Sequence, residues 1–263
     1  MPATPFMPVP TPKTKAMLAL EENLDSILHL LNVSRHEMVV LRAQSARLTT
    51  FVGKNCDIAK KSHSVKPVLV KLSRSLDRFS KSLDTRIERV QTITLWQVVM
   101  LVTCVEAYLQ DVLTAAASVD PELMSKSEQH APYADVIGAT SLEALANELR
   151  ARWARGWLSD GGPTRWIARL GKMGARGYPK DLGPRLERFW GIRHVVVHAA
   201  GVATADFVKR HPNVVKAPGD RVRVNHHDYK KFVDAFRDFV EPTDGYFLVR
   251  YPAMLAVPTA PAK

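Results

Sequence analysis

Apolar residues recur every seven positions through the first part of the chain, and this repeat decides most of what the chain can fold into. Met17, Leu24, Leu31, Met38 and Val52 form one series, interrupted by Ser45. Leu20, Ile27, Leu41 and Leu48 form a second, three residues later and interrupted by Ser34. Two series offset by three and four residues line one stripe of an α-helix, so the spacing predicts a single long helix. Gly53 and Asn55 predict its stop, and the polar residues 53–64 a loop. A second seam runs through Val65, Leu69, Leu72, Leu76, Phe79, Leu83, Ile87 and Val90. Residues 13–84 are therefore expected to form an antiparallel helical hairpin whose seams are intramolecular core. Residues 1–12 hold five prolines and predict an extended, disordered tail.

The remainder reads as further helices with a small β addition. Residues 85–118 are strongly apolar, and Ser141 is placed to cap a helix running to about residue 155. A short helix starts at Thr164, and another runs from residues 182–184 to His198, with Gly201 marking its end. Alternation in residues 220–225 and the apolar run 245–251 predict two short strands. The expected fold is mainly α: a helical domain over 85–245, a C-terminal strand and tail over 246–263, and a small β-hairpin near the C-terminus.

Composition narrows the function. With 46% apolar residues in 263 the chain can build a substantial core. Cys56 and Cys104 are the only cysteines, too few for a disulfide scaffold or a cysteine metal site. That favours a reducing, cytoplasmic setting. The longest apolar stretch, residues 95–105, contains Gln97 and Thr103, so a buried helix is expected and no membrane. Lys and Arg number 37 against 26 Asp and Glu, a net charge of +11, which favours polyanion partners. Two clusters carry the excess. Residues 41–82 hold ten basic side chains against Asp57 and Asp77, on a helix face that is either solvated or turned towards nucleic acid. Residues 146–193 hold eleven against four, interleaved with Trp153, Trp157, Trp166 and Trp190. Basic residues among aromatics suit single-stranded RNA, although tryptophans at such positions are more often core.

One apolar helix carries polar chemistry. In Arg193-His194-Val195-Val196-Val197-His198, a turn of about 100° per residue gathers Arg193, His194 and His198 on one arc and turns Val195 and Val196 away. The spacing of Arg and His alone carries little, because Arg221 and His226 repeat it in a strand-like setting. Zinc binding by His194 and His198 is a weaker option, since position 195 is Val where the metalloprotease pattern has Glu. No phosphate-cradling Gly-Lys loop and no Gly-x-Ser-x-Gly elbow occurs.

In its context the segment resembles the HEPN domains, whose signature is Arg-(His/Asn/Asp)-x3-His. The likeness extends to Gly201-Val202 after the helix and to residues 101–113, with the Glu-aromatic-Leu element at Glu106, Tyr108 and Leu109. It covers roughly residues 85–245. The resemblance implies metal-independent RNA cleavage with no cofactor, by attack of the 2′-hydroxyl on the adjacent phosphate. Arg193 would face the phosphate, His198 would serve as general base or acid, His194 would orient or assist, and Glu106 would support the site. Arg185, Arg188, Arg176 and Lys172 would hold RNA. The family pairs two motifs across a cleft, which implies a homodimer here, and many members are toxins or antiphage-defence proteins, which implies an antitoxin or defence-system partner. The competing expectation is a catalytically inactive HEPN-like module binding RNA or a protein.

Overall fold

The computed structural model describes residues 12–59, 66–125, 132–159 and 161–255. The protein is mainly helical, and the described residues contain no strand. The tail expected over residues 1–12 lies outside the described residues except for Pro12, as does that from residue 256 onward.

Helix α1 (Lys15–Ala59) follows the heptad seam and runs through Gly53 and Asn55, where a stop was expected. One glycine costs a helix only about 1 kcal/mol, and no proline reinforces it. Residues 60–64 of the expected loop lie outside the described residues. Helix α2 (Lys66–Val119) joins the second seam and the apolar helix into one element. Its sequence explains the length: no glycine occurs in it, and its one proline is Pro67, in the first turn where a missing N–H costs nothing. The boundary expected between residues 84 and 85 therefore has no break in the chain. The chain goes on to form the separate helices α3 (Tyr133–Gly138), α4 (Leu142–Ser159), α5 (Pro163–Met173), α6 (Leu182–Ala199), α7 (Ala205–Arg210) and α8 (His226–Arg250).

These elements form two compact units. The first comprises the described residues to Leu24, Leu101–Gly191 and those from Lys230. Its core gathers Leu101, Leu109 and Leu113 of α2, Trp166 and Leu170 of α5, and Leu186 and Phe189 of α6 against Phe232, Phe236, Phe239 and Phe247 of α8. Phe232 packs at ring-centroid distances of 4.1 Å from Phe189 and 4.3 Å from Phe236. A buried polar clamp holds the start of α1. The Asp244 carboxylate of α8 accepts from the Thr14 hydroxyl at 2.5 Å, the Thr14 N–H at 3.2 Å and the Tyr108 hydroxyl at 3.3 Å. Burial, followed by the Asp244 charge, pushes the Tyr108 phenol well above its ordinary range, so it stays a donor.

The expected strand over 245–251 is instead the last part of α8. Buried Phe236, Phe239, Val240, Thr243, Asp244, Phe247 and Tyr251 recur at helical spacing, while Val249 is 85% exposed. A short apolar run has no period that separates strand from helix, and burial on one face decided for helix. The expected strand at 220–225 reduces to an isolated bridge between Arg221 and Val202. The β-hairpin addition is thus absent among the described residues.

The second unit comprises Asp25–Met100 and Ile192–Tyr229. Within it, Ile27 and Leu41 of α1 and Leu83 and Val90 of α2 are 3–4% exposed, each pair at a multiple of seven. At these four positions the heptad seam of the sequence is buried. By length and composition alone, Lys81–Val119 is apolar enough to cross a membrane. Core helices pass the same test, and this one has Val98, Leu101, Val102, Val105 and Leu109 covered by protein.

Candidate functional site

The polar strip sits on the last two turns of α6, in the second unit. Val195 and Val196 are 2% and 7% exposed and anchor the helix, Arg193 is half-buried, and His194 and His198 are exposed. The geometry at the helix end is fixed by sequence. Ala200 and Gly201 take positive φ angles of 50° and 78°, and the Gly201 N–H reaches back to the Val195 carbonyl at 3.1 Å. Glycine bears this left-handed conformation without strain. The chain then pairs with residues 219–222: Ala203 N–H to the Asp220 carbonyl and Val222 N–H to the Gly201 carbonyl, both at 2.9 Å.

The two imidazoles stand one turn apart with ring centroids 4.5 Å from each other and planes inclined by 46°. His194 is held below its ordinary pKa, first by partial burial, then by the charges of His198, Arg210 and Arg193, with Asp206 opposing. A charge on His198 therefore disfavours a proton on His194. Asp206 and Arg210 enter from α7, where they form an i,i+4 ion pair. Buried Phe207 pins that helix, and the Thr204 hydroxyl caps it by accepting from the Phe207 N–H at 3.2 Å. We expect Thr204→Ala to lower unfolding stability by about 1 kcal/mol. Urea denaturation followed by circular dichroism measures it, and an unchanged midpoint contradicts the capping role.

The other expected site residues belong to the first unit. Glu106 is half-buried on α2. Arg185 is engaged by Asp238 at 2.7 Å, with Asp181 at 3.7 Å. Arg188 lies with its guanidinium 5.8 Å from the Phe189 ring. Arg176 donates to the Gly171 and Ala175 carbonyls at 2.6 and 3.0 Å, which closes the loop after α5. Lys172 is exposed in the last turn of α5. Of the tryptophans interleaved with these basic residues, Trp166 belongs to the core: it is 1% exposed, meets Trp190 edge-on at 4.6 Å, and donates to the Leu158 carbonyl at 3.0 Å. Arg169 covers Trp157 at 5.5 Å and donates to its carbonyl at 2.6 Å.

Sequence reasoning missed Asp206, Arg210 and Trp96. Thr204 followed by Asp206 is a readable helix start, but a six-residue helix shows too little periodicity to be placed. Trp96 was hidden inside an apolar run and stands 52% exposed. No family model, no curated protein and no solved structure matches the chain.

Proposed function

We propose that the chain is a metal-independent endoribonuclease that cleaves RNA at a homodimer cleft through Arg193, His194 and His198. The observation that carries this reading is the pair of exposed imidazoles 4.5 Å apart on one helix face, with Arg193 beside them. RNA transesterification needs a group that takes the 2′-hydroxyl proton and one that gives a proton to the departing 5′-oxygen. Two imidazoles on one helix face supply both roles, because an imidazole can accept a proton or donate one. His194, biased towards the neutral form, is the base, and His198 is the acid. The 2′-oxygen bonds to phosphorus, the phosphorus–O5′ bond breaks, and the products are a 2′,3′-cyclic phosphate and a 5′-hydroxyl. Arg193 cannot deprotonate, and its fork faces the non-bridging oxygens where charge builds up. The Arg210 cation adds to a positive field that favours a phosphate.

The dimer and the toxin or antiphage-defence role, with a cognate antitoxin or defence partner, belong to this proposal through the HEPN resemblance. Cleavage of labelled single-stranded RNA in EDTA tests the reading. Wild type is expected to cleave and Arg193→Ala to lose activity by about 10²-fold or more; equal cleavage by both overturns it.

The histidine pair also predicts a pH profile. A base must be neutral to act, so the acidic limb of kcat/KM falls below pH 6.5, the ordinary imidazole value. Arg210 pushes His194 down and Asp206 pushes it up. In Arg210→Gln the first influence is gone and the second is no longer paired, so the limb moves to higher pH. A limb that stays in place or moves lower contradicts the assignment of His194 as base.

A further inference from the structure

A cavity of about 380 Å³ opens in the second unit beside the motif helix, walled by α2, the end of α6 and the segment after Gly219. That volume falls in the lower range of small-ligand pockets. Its apolar wall includes Val196 and Val222, and its polar lining includes Glu88, Gln91, Arg221 and Arg223, with Trp96 at its side. We propose that this cavity binds a guanine nucleotide, either free or as a guanosine residue of an RNA strand.

Three features of the lining select that chemistry. Trp96 lines the cavity and is 52% exposed, and an exposed indole can stack on a planar ring. Arg221 and Arg223 alternate with Val222 and Val224, which are 1% and 6% exposed, so both arginines stand on the outer side of one extended segment. The backbone bonds between Gly201 and Val222 and between Ala203 and Asp220 fix that segment beside α6. Two guanidinium forks on one side of a cavity match a phosphate. Glu88 discriminates between bases. An ionised carboxylate only accepts hydrogen bonds, and guanine presents two adjacent donors, N1–H and the 2-amino group, on one edge. Adenine presents a bare N1 lone pair at that edge, which a carboxylate repels. Gln91, one turn along α2, can donate from its amide nitrogen to the guanine O6 or N7, both of which accept.

The proposal extends the ribonuclease reading by naming the base that the site holds, yet binding is measured without cleavage. Full-length protein is titrated calorimetrically with GMP, AMP and inorganic phosphate. GMP is expected to bind at least about tenfold more tightly than AMP, and phosphate more weakly than either. Trp96→Ala and Arg221→Gln each weaken GMP binding about tenfold or more. Glu88→Gln lowers the preference for GMP over AMP to less than about threefold. These side chains are exposed, so the variants are checked for native circular dichroism before titration. Short single-stranded RNAs with and without one guanosine separate the two sources: a guanosine-dependent gain in affinity assigns the pocket to a strand, and its absence to the free nucleotide. Equal binding of GMP and AMP overturns the proposal, as does undiminished binding by Trp96→Ala. A Trp96→Ala change that alters the sedimentation coefficient but not GMP binding overturns it too, and assigns that face to a protein contact. If GMP binds but RNA is never cut, the ribonuclease reading fails and the nucleotide site stands.

Discussion

His198→Ala is expected to lower the rate of RNA cleavage by about 10²–10⁴-fold, the usual contribution of a positioned acid or base. The loss falls on chemistry and not on folding. His198 is exposed in the last turn of α6, and exposed substitutions away from special features change stability by no more than about 0.5 kcal/mol. Alanine is also the better helix former. On the proposed mechanism His194 and His198 serve one reaction as base and acid, so the double variant His194→Ala/His198→Ala is expected to be scarcely slower than the worse single variant. Residues that act as a unit are strongly non-additive when removed. Single-turnover cleavage with excess enzyme measures all three variants. A His198→Ala protein that cuts within twofold of wild type contradicts the assignment, and so do single-variant losses that multiply in the double.

The largest structural effect is expected at Trp166. Trp166→Ala removes a side chain 1% exposed, its edge-on contact with Trp190 at 4.6 Å, and its hydrogen bond to the Leu158 carbonyl at 3.0 Å. Truncating a buried tryptophan costs about 3–5 kcal/mol, from lost burial and from the cavity left behind. For a chain of this size that lowers the melting temperature by roughly 10 °C. Trp96→Ala is the matched control, since Trp96 stands 52% exposed, and it is expected to melt within about 2 °C of wild type. Differential scanning calorimetry compares them. Equal melting temperatures for the two variants contradict the placement of Trp166 in the core.

The helical architecture was legible because its signal is periodic. Ile27 and Leu41, fourteen residues apart, are buried as the seven-residue repeat requires, and Leu83 and Val90 repeat the pattern on α2. Helix ends were less legible. Gly53 looked like a stop, but a glycine ends a helix only when a left-handed turn or a proline supports it. At Gly201 the positive φ and the bond back to Val195 supply that support. The last part of α8 was misjudged because its short apolar run has only Arg250 as a charged residue, too little to set a period. Pro242 also sits inside the helix, where it normally argues for a break. There the Thr243 hydroxyl donates to the Phe239 carbonyl at 2.6 Å, so a side chain satisfies an acceptor near the interruption.

The strip of Arg193, His194 and His198 was readable from helical geometry alone. What surrounds it was not, because Asp206, Arg210, Arg221 and Arg223 reach the same unit from loops and a six-residue helix with no periodic signature. Alternation of Arg221 and Arg223 with Val222 and Val224 was a true signal of which side chains are buried. It was not a signal of a strand, since only Arg221 finds a bridge partner.

The central claim is that the two imidazoles of α6 move the protons of an RNA transesterification. The most direct measurement is of the ends that wild-type protein leaves on a 5′-labelled single-stranded RNA in EDTA at pH 7. The account predicts 2′,3′-cyclic phosphate on the upstream fragment and a 5′-hydroxyl on the downstream one, both lost with His198→Ala. Intact RNA, or cleavage that leaves 5′-phosphate ends, contradicts it.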